Sequence, residues 1–288
     1  MLKHATLDLM VHTTPELEQL LGEPLAERVH VSSWPLSAVE RLTTARGVRW
    51  IYKAQRTPTC EPAFYERVRS PLLPASRPLS DDGVYSTMLI EFIDAPMIRD
   101  LALPMAEQAR HGRALMAAIS EMLVGEDPPI YLDIGTPDRW RAFAASTLAG
   151  LAELVGDGRL TLTLEADTAD VAAWAASSGV LRLIERTSRL THGDLNPGNV
   201  FVTDGGYRII DWQRPQLAPA EVDLVCLLEG APDLFEHASA AAIGVFYLVR
   251  LNWAVTAKRD LLPNIRGLFD RWSSDALAFI RRAAAASS

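Results

Sequence analysis

Near its start the chain holds three stretches, Arg28 to Ser33, Leu36 to Thr44 and Val48 to Ala54, that read as strands, the last two joined at Ala45-Arg46-Gly47. In Val48-Arg49-Trp50-Ile51-Tyr52-Lys53 the alternation leaves one face apolar and points Lys53 with the opposite set. Ahead of them, Thr14-Pro15-Glu16-Leu17 reads as an N-cap followed by proline at the first helical position, starting a short helix that ends near Gly22. Behind them, Cys60 to Val68 reads as a helix with proline in its first turn. Pro71 to Gly83 is loop with at most a short strand, and Val84 to Ile93 is the next strand.

The period changes after Leu101. Alanine and leucine dominate, and helices are expected over Met105 to Val124, Pro137 to Val155, Ala166 to Ser178 and Val180 to Ser188. Trp140 and Trp174 are expected to pack inside them. Beyond Leu190 come two short apolar runs, Val200 to Thr203 and Tyr207 to Ile210, divided by Asp204-Gly205-Gly206, which predicts a β-hairpin. Pro215 to Pro219 reads as loop, Glu221 to Leu228 as a helix start with carboxylates in its first turn, and Pro232 to Lys258 and Leu261 to Ala285 as the closing helices.

The chemistry gathers in Leu190 to Gln213, LTHGDLNPGNVFVTDGGYRIIDWQ. A hairpin with Asn199 at its entrance and Asp211 at its exit brings an amide oxygen and a carboxylate to one end. Both are hard oxygen ligands of the kind Mg2+ takes beside water and phosphate. Asp194 lies a few residues upstream on the loop.

An Asp, four residues, an Asn and a later metal-binding Asp form the spacing of a kinase catalytic loop. With Gly193 after His192, and Ile209-Ile210 before Asp211-Trp212, the stretch resembles the aminoglycoside phosphotransferase and choline kinase-like family, which shares the protein kinase fold. The resemblance implies an α+β, bilobal protein kinase-like fold. Residues 1–93 would form a nucleotide-binding lobe with a small antiparallel sheet, and residues 94–288 a mostly helical lobe with the catalytic loop and acceptor pocket.

It also implies roles. Lys53 would bind phosphate, paired with Glu61 of the E-x-x-F-Y pattern, with Glu66 as the alternative partner. Backbone groups near Glu91 to Ile93 would meet the adenine edge. The loop covering the phosphates would be Ser32 to Ser37, which lacks glycine; Ser32 and Ser33 are candidates for phosphate contact, against a reading as ordinary turn residues. Asp194 would take the acceptor proton, His192 would orient the loop, Asn199 and Asp211 would hold Mg2+, and Asp223 would brace the catalytic loop. Gln213 departs from relatives that carry an acid there. The implied reaction moves the γ-phosphoryl of ATP or GTP to a hydroxyl of a small molecule: an aminoglycoside-like antibiotic, amino alcohol, sugar or other metabolite.

Bulk properties narrow the partners. A net charge of -8 argues against nucleic acid or an anionic membrane surface, and 49% hydrophobic residues suffice for a sizeable core. Cys60 and Cys226 make no disulfide framework. Met1 to Met10 lacks a signal-peptide core, and the apolar run Ala238 to Val249 is too short for a bilayer, so a cytoplasmic protein is expected. The competing reading is a nucleotide-binding regulatory module without catalysis, supported by the glycine-free loop. A protein kinase is disfavoured by the short interval from Asp211 to Asp223. Acceptor choice and oligomeric state are indexed by no motif.

Overall fold

The alternating stretches assemble into a five-stranded antiparallel sheet in the order Leu25–Trp34, Ser37–Thr44, Arg49–Arg56, Tyr85–Glu91 and Ser76–Asp81. The computed structural model describes residues 1–122, 125, 127–161 and 167–286. Its contacts divide it into two units: Met1–Ala102 with Met122–Tyr131 and Pro197–Pro215, and Leu103–Glu121 with Leu132–Asn196 and Gln216–Ser288.

In the first unit, one face of the sheet carries Leu42, Tyr52, Ala54 and Leu89, which pack with Val11 and Leu17 into a small core. Leu17 comes from the helix Thr14–Leu21. Its cap is Thr13, one residue earlier than expected, because the Thr13 hydroxyl accepts from the Glu16 amide while the Glu16 carboxylate accepts from the Thr13 amide. Gly22 ends it at φ 76°. The proline-rich stretch after Pro71 does form a strand, Ser76–Asp81, and Pro78 is tolerated there because the strand lies at the sheet edge.

The expected Ser32 to Ser37 loop is not there. Strand pairing continues through Ser32 opposite Val39, Ser33 opposite Ala38 and Trp34 opposite Ser37, so only Pro35 and Leu36 turn. Ser32 and Ser33 are therefore strand residues. The later hairpin pairs Val200–Thr203 with Gly206–Ile209 around Asp204 and Gly205, one position earlier in its second arm than expected, with Gly206 at φ 116°. It belongs to the first unit, since the Val202 amide donates to the Pro96 carbonyl at 2.9 Å and the Ile209 amide to the Leu72 carbonyl at 2.7 Å. The unit also runs past Ile93 to Ala102.

The second unit is mainly helical. Met105–Ser120, Pro137–Gly156, Asp167–Ala175, Ser178–Thr187, Glu221–Leu227, Leu234–His237, Ala240–Thr256 and Leu268–Ala286 are its helices among the described residues. The expected helix end at Val124 and helix start at Ala166 lie outside the described residues. The expected Pro232 to Lys258 helix is broken: Ser239 caps a new start, its hydroxyl accepting from the Ala242 amide, and the Glu221 carboxylate accepts from the Ser239 amide at 2.8 Å. The last helix begins at Leu268 rather than Leu261, because Ala257–Leu261 winds into a π turn first.

A small sheet was not foreseen. Ser188–Thr191 pairs antiparallel with Gln216–Pro219, which pairs parallel with Leu132–Asp133. The expected loop from Pro215 to Pro219 is thus the central strand of this sheet. Trp140 and Trp174 lie in the core, edge to face at 6.3 Å, as expected. The helical run Ala240–Leu261 is 22 residues long and apolar enough to cross a bilayer, correcting the expectation from Ala238 to Val249. Its Ile243, Phe246, Leu248 and Leu251 are buried in this unit's core.

Candidate active site

Strand alternation places Lys53 and Ile51 on the face opposite Tyr52, where they line a cleft of about 1010 Å³ within the first unit. The Lys53 side chain is 6% exposed, and its Nζ lies 2.5 Å from a Glu61 carboxylate oxygen and 2.5 Å from an Asp211 carboxylate oxygen. Burial alone would drive such an ammonium neutral. The Asp211 and Glu61 carboxylates outweigh burial, and the Lys53 pKa is raised. Glu61 is fully buried; burial raises its pKa against the pull of Lys53, and Asp211 pushes it further up. Glu66, the alternative partner, is exposed.

Glu61 opens the helix Glu61–Arg67, which also holds the segment after the hairpin. The Phe64 ring stacks on Trp212 with centroids 4.4 Å apart and planes at 8°. The Cys60 amide donates to the Gln213 carbonyl at 2.9 Å, and the Trp212 indole donates to the Ile209 carbonyl at 3.2 Å. Between these anchors Asp211 adopts φ 68°, a left-handed conformation that costs a residue with a side chain on the order of 1–2 kcal/mol. Sequence reading missed this aromatic anchor, because stacking partners far apart in the chain leave no local signal.

The Ile210 amide donates to the Asn199 carbonyl at 3.0 Å, so the open end of the hairpin carries Asn199 and Asp211 together, and both line the cleft. Among the described residues no group of three or more His, Cys, Asp or Glu could hold a metal unaided. An amide oxygen with one carboxylate instead suits Mg2+, which binds through one or two protein ligands plus substrate phosphates.

Ser32, Ser33, Glu91 and Ile93 line the same cleft. The Glu91 carboxylate accepts from the Ala75 amide at 3.0 Å, and the Glu91 amide donates to the Ala75 carbonyl at 2.8 Å. Just beyond, the Arg49 guanidinium lies 4.1 Å from the Phe92 ring centroid and 2.7 Å from an Asp94 carboxylate oxygen, pinning the chain after the strand. The Gln213 side chain points to Gln55, donating at 3.3 Å, and is not among the cleft's lining residues.

Asp194, His192 and Asp223 lie in the second unit. His192 is fully buried, and its Nδ1 accepts from the Asp194 amide at 3.2 Å. The Asp223 carboxylate accepts from the His192 amide at 2.8 Å and the Gly193 amide at 3.1 Å. Burial pushes the Asp223 carboxyl up to about 7, the two amides pull it down, and Asp194 pushes it up. Gly193 sits at φ 79°, where any side chain is strained, which accounts for glycine after the histidine. Cys60 and Cys226 are free thiols.

This α+β fold, an antiparallel sheet followed by a helical part, is that of the protein kinase-like phosphotransferases. The chain is similar to a choline/ethanolamine kinase family protein from Mesorhizobium loti, at 17% identity and a TM-score of 0.60, covering 90% of this chain and 87% of that one. It is similar to a spectinomycin phosphotransferase solved with ADP and spectinomycin, at 15% identity and a TM-score of 0.56, covering 95% of both chains. A putative fructosamine-3-kinase from Thermobifida fusca aligns at 15% identity and a TM-score of 0.53 over 94% of this chain and 98% of that one. No curated protein matches in sequence. Residues 36–259 match the model of the phosphotransferase enzyme family, and the chain belongs to that family. It is a small-molecule phosphotransferase with an alcohol group as acceptor.

Proposed function

We propose that this enzyme transfers the γ-phosphoryl group of ATP or GTP to a hydroxyl of a small organic acceptor. Aminoglycoside-like antibiotics, amino alcohols, sugars and other hydroxylated metabolites are the candidate acceptors. The reading rests most on Lys53, a buried ammonium held at 2.5 Å by both Glu61 and Asp211 inside a cleft large enough for a nucleotide. A cation so held meets the α- and β-phosphates without first paying to find its place. The backbone of Glu91 to Ile93 would take the base, and Ser32 and Ser33 would approach the phosphates from the sheet.

Asn199 and Asp211 would hold Mg2+, which supplies neutralisation of charge between the β- and γ-phosphates. Asp194 orients the acceptor hydroxyl and accepts its proton. A carboxylate is a weak base, so its gain comes late, when the transferring group has loosened from its leaving oxygen. His192 and Asp223 keep the backbone on either side of Asp194 in place. The spectinomycin phosphotransferase to which the chain is similar was solved with ADP and spectinomycin, which supports nucleotide and small-molecule binding here.

The two-residue Pro35–Leu36 turn, without glycine, favours a second reading as a nucleotide-binding module that has lost catalysis. Calorimetric titration with Mg-ATP, followed by a search for ADP release over a panel of hydroxylated acceptors, separates the two. Tight binding with acceptor-dependent ADP release supports the enzyme. Binding with no release for any acceptor supports the module, and no binding at all removes both.

A further inference from the structure

Trp34 ends the first strand of the five-stranded sheet and lines the cleft, with 39% of its surface exposed. Loops that cradle phosphates are commonly rich in glycine, whose bare backbone lets amide groups come close. Here the tip is Trp34-Pro35-Leu36, with a bulky aromatic in that place. The tip is anchored: Trp34 pairs with Ser37 across the two-residue turn, Leu36 is buried, and the Leu36 carbonyl accepts from the Arg56 amide at 3.0 Å.

Strand register gives the place of Trp34 along the cleft. Ile51 lies opposite Arg41 and Ile90, at the end of the sheet where the chain leaves through Glu91 to Ile93. Two residues on, Lys53 lies opposite Val39, which in turn faces Ser32. Two residues further, Gln55 lies opposite Ser37, which faces Trp34. The rows of Ile51, Lys53 and Trp34 therefore follow one another along the sheet, the last about 7 Å beyond Lys53. With the base at Glu91 to Ile93 and the α- and β-phosphates at Lys53, the next position belongs to the γ-phosphoryl group. The sheet's other lining side chains there, Ser32, Ser33 and Ser37, are short and polar.

We propose that Trp34 covers the γ-phosphoryl group and keeps bulk water from it, so that the group passes to the acceptor hydroxyl rather than to water. Without the cover, a water oxygen forms a new bond to the γ-phosphorus as the bond to ADP breaks, and inorganic phosphate leaves with the released proton. An apolar ring at that point excludes water and offers no oxygen of its own to compete with the acceptor. The inference rests on the functional reading above and adds to it the choice between acceptor and water.

Trp34→Ala removes the ring from a partly exposed position, where little core packing is lost. Phosphate release from Mg-ATP without acceptor, measured beside Mg-ADP affinity by calorimetry, tests the proposal. The expected result is release raised severalfold over wild type with Mg-ADP affinity close to wild type, and Trp34→Phe, which keeps an apolar ring, between the two. A second readout needs no turnover: the fluorescence of wild type less that of Trp34→Phe isolates Trp34, and a non-hydrolysable ATP analogue should protect it from acrylamide more than ADP does. Release no faster than wild type overturns the shielding role, and wild-type binding of Mg-ADP then leaves the functional reading standing. Equal protection by the analogue and by ADP, or a lowered Mg-ADP affinity in Trp34→Ala, also overturns it and puts the ring elsewhere on the nucleotide. A wild-type protein that binds neither Mg-ADP nor Mg-ATP removes the functional reading and this inference together.

Discussion

Lys53 and Asp211 lie 158 positions apart in the chain and meet at 2.5 Å, the lysine on a sheet strand and the aspartate just past a hairpin. The contact welds the hairpin's outgoing end to the sheet and keeps a cation and a carboxylate side by side in the cleft. Glu61 completes the group from the helix, also at 2.5 Å.

Lys53→Met should therefore act on stability and on binding together. It leaves Glu61 fully buried beside the Asp211 carboxylate with no cation between them. Breaking a buried ion pair by removing one partner costs about 3 kcal/mol or more. Urea unfolding should show that loss, and calorimetry should show nucleotide affinity reduced at least tenfold.

Asp194 and Asp211 should separate by readout. Asp194→Asn is expected to remove turnover while leaving Mg-nucleotide affinity largely intact, since the role proposed for it is on the acceptor. Asp211→Ala should weaken Mg-nucleotide binding as well as turnover. Steady-state rates paired with nucleotide titrations check this, and an Asp194→Asn enzyme of unchanged rate would remove the base assignment.

Asp223 predicts a dependence of stability on pH. Its folded pKa, about 7, lies above the ordinary 3.8, so the native state holds a proton that the unfolded chain releases. The corresponding stability is fully present below pH 3.8 and declines as pH rises to about 7. Urea midpoints measured across that window should fall more steeply with pH for wild type than for Asp223→Asn. Parallel curves would contradict the assignment.

Gly244 lies under the Trp174 ring, where an added methyl group would come within 2.2 Å of a ring carbon. An indole packed edge to face on Trp140 has little room to yield. Gly244→Ala should destabilise the protein by about 1–3 kcal/mol, read as a lowered unfolding temperature, with nucleotide affinity of the folded protein unchanged.

The sequence was most informative where one short segment carries both the chemistry and its geometry. Asn199 and Asp211 could be set at one end of a hairpin because the turn and its arms are local, and the alternation around Lys53 assigned its face correctly. The sheet made by Ser188–Thr191 and Gln216–Pro219 could not be read. Each strand has four residues, without an alternating pattern long enough to register, and they pair across the whole stretch from His192 to Pro215. The Ser32 to Ser37 stretch was misread because serines and a proline mark turns, while the pairing with Ser37–Thr44 carries the strand through to Trp34. The Phe64–Trp212 stack lies between a helix and the segment after a distant hairpin, and only packing reveals it.

Phosphoryl transfer itself is tested most directly by incubating the protein with Mg-ATP and hydroxylated acceptors, and following ADP release and acceptor mass together. The account predicts at least one acceptor that gains a single phosphoryl group in step with ADP, and loss of both signals in Asp194→Asn. Equal product formation by wild type and Asp194→Asn would contradict it.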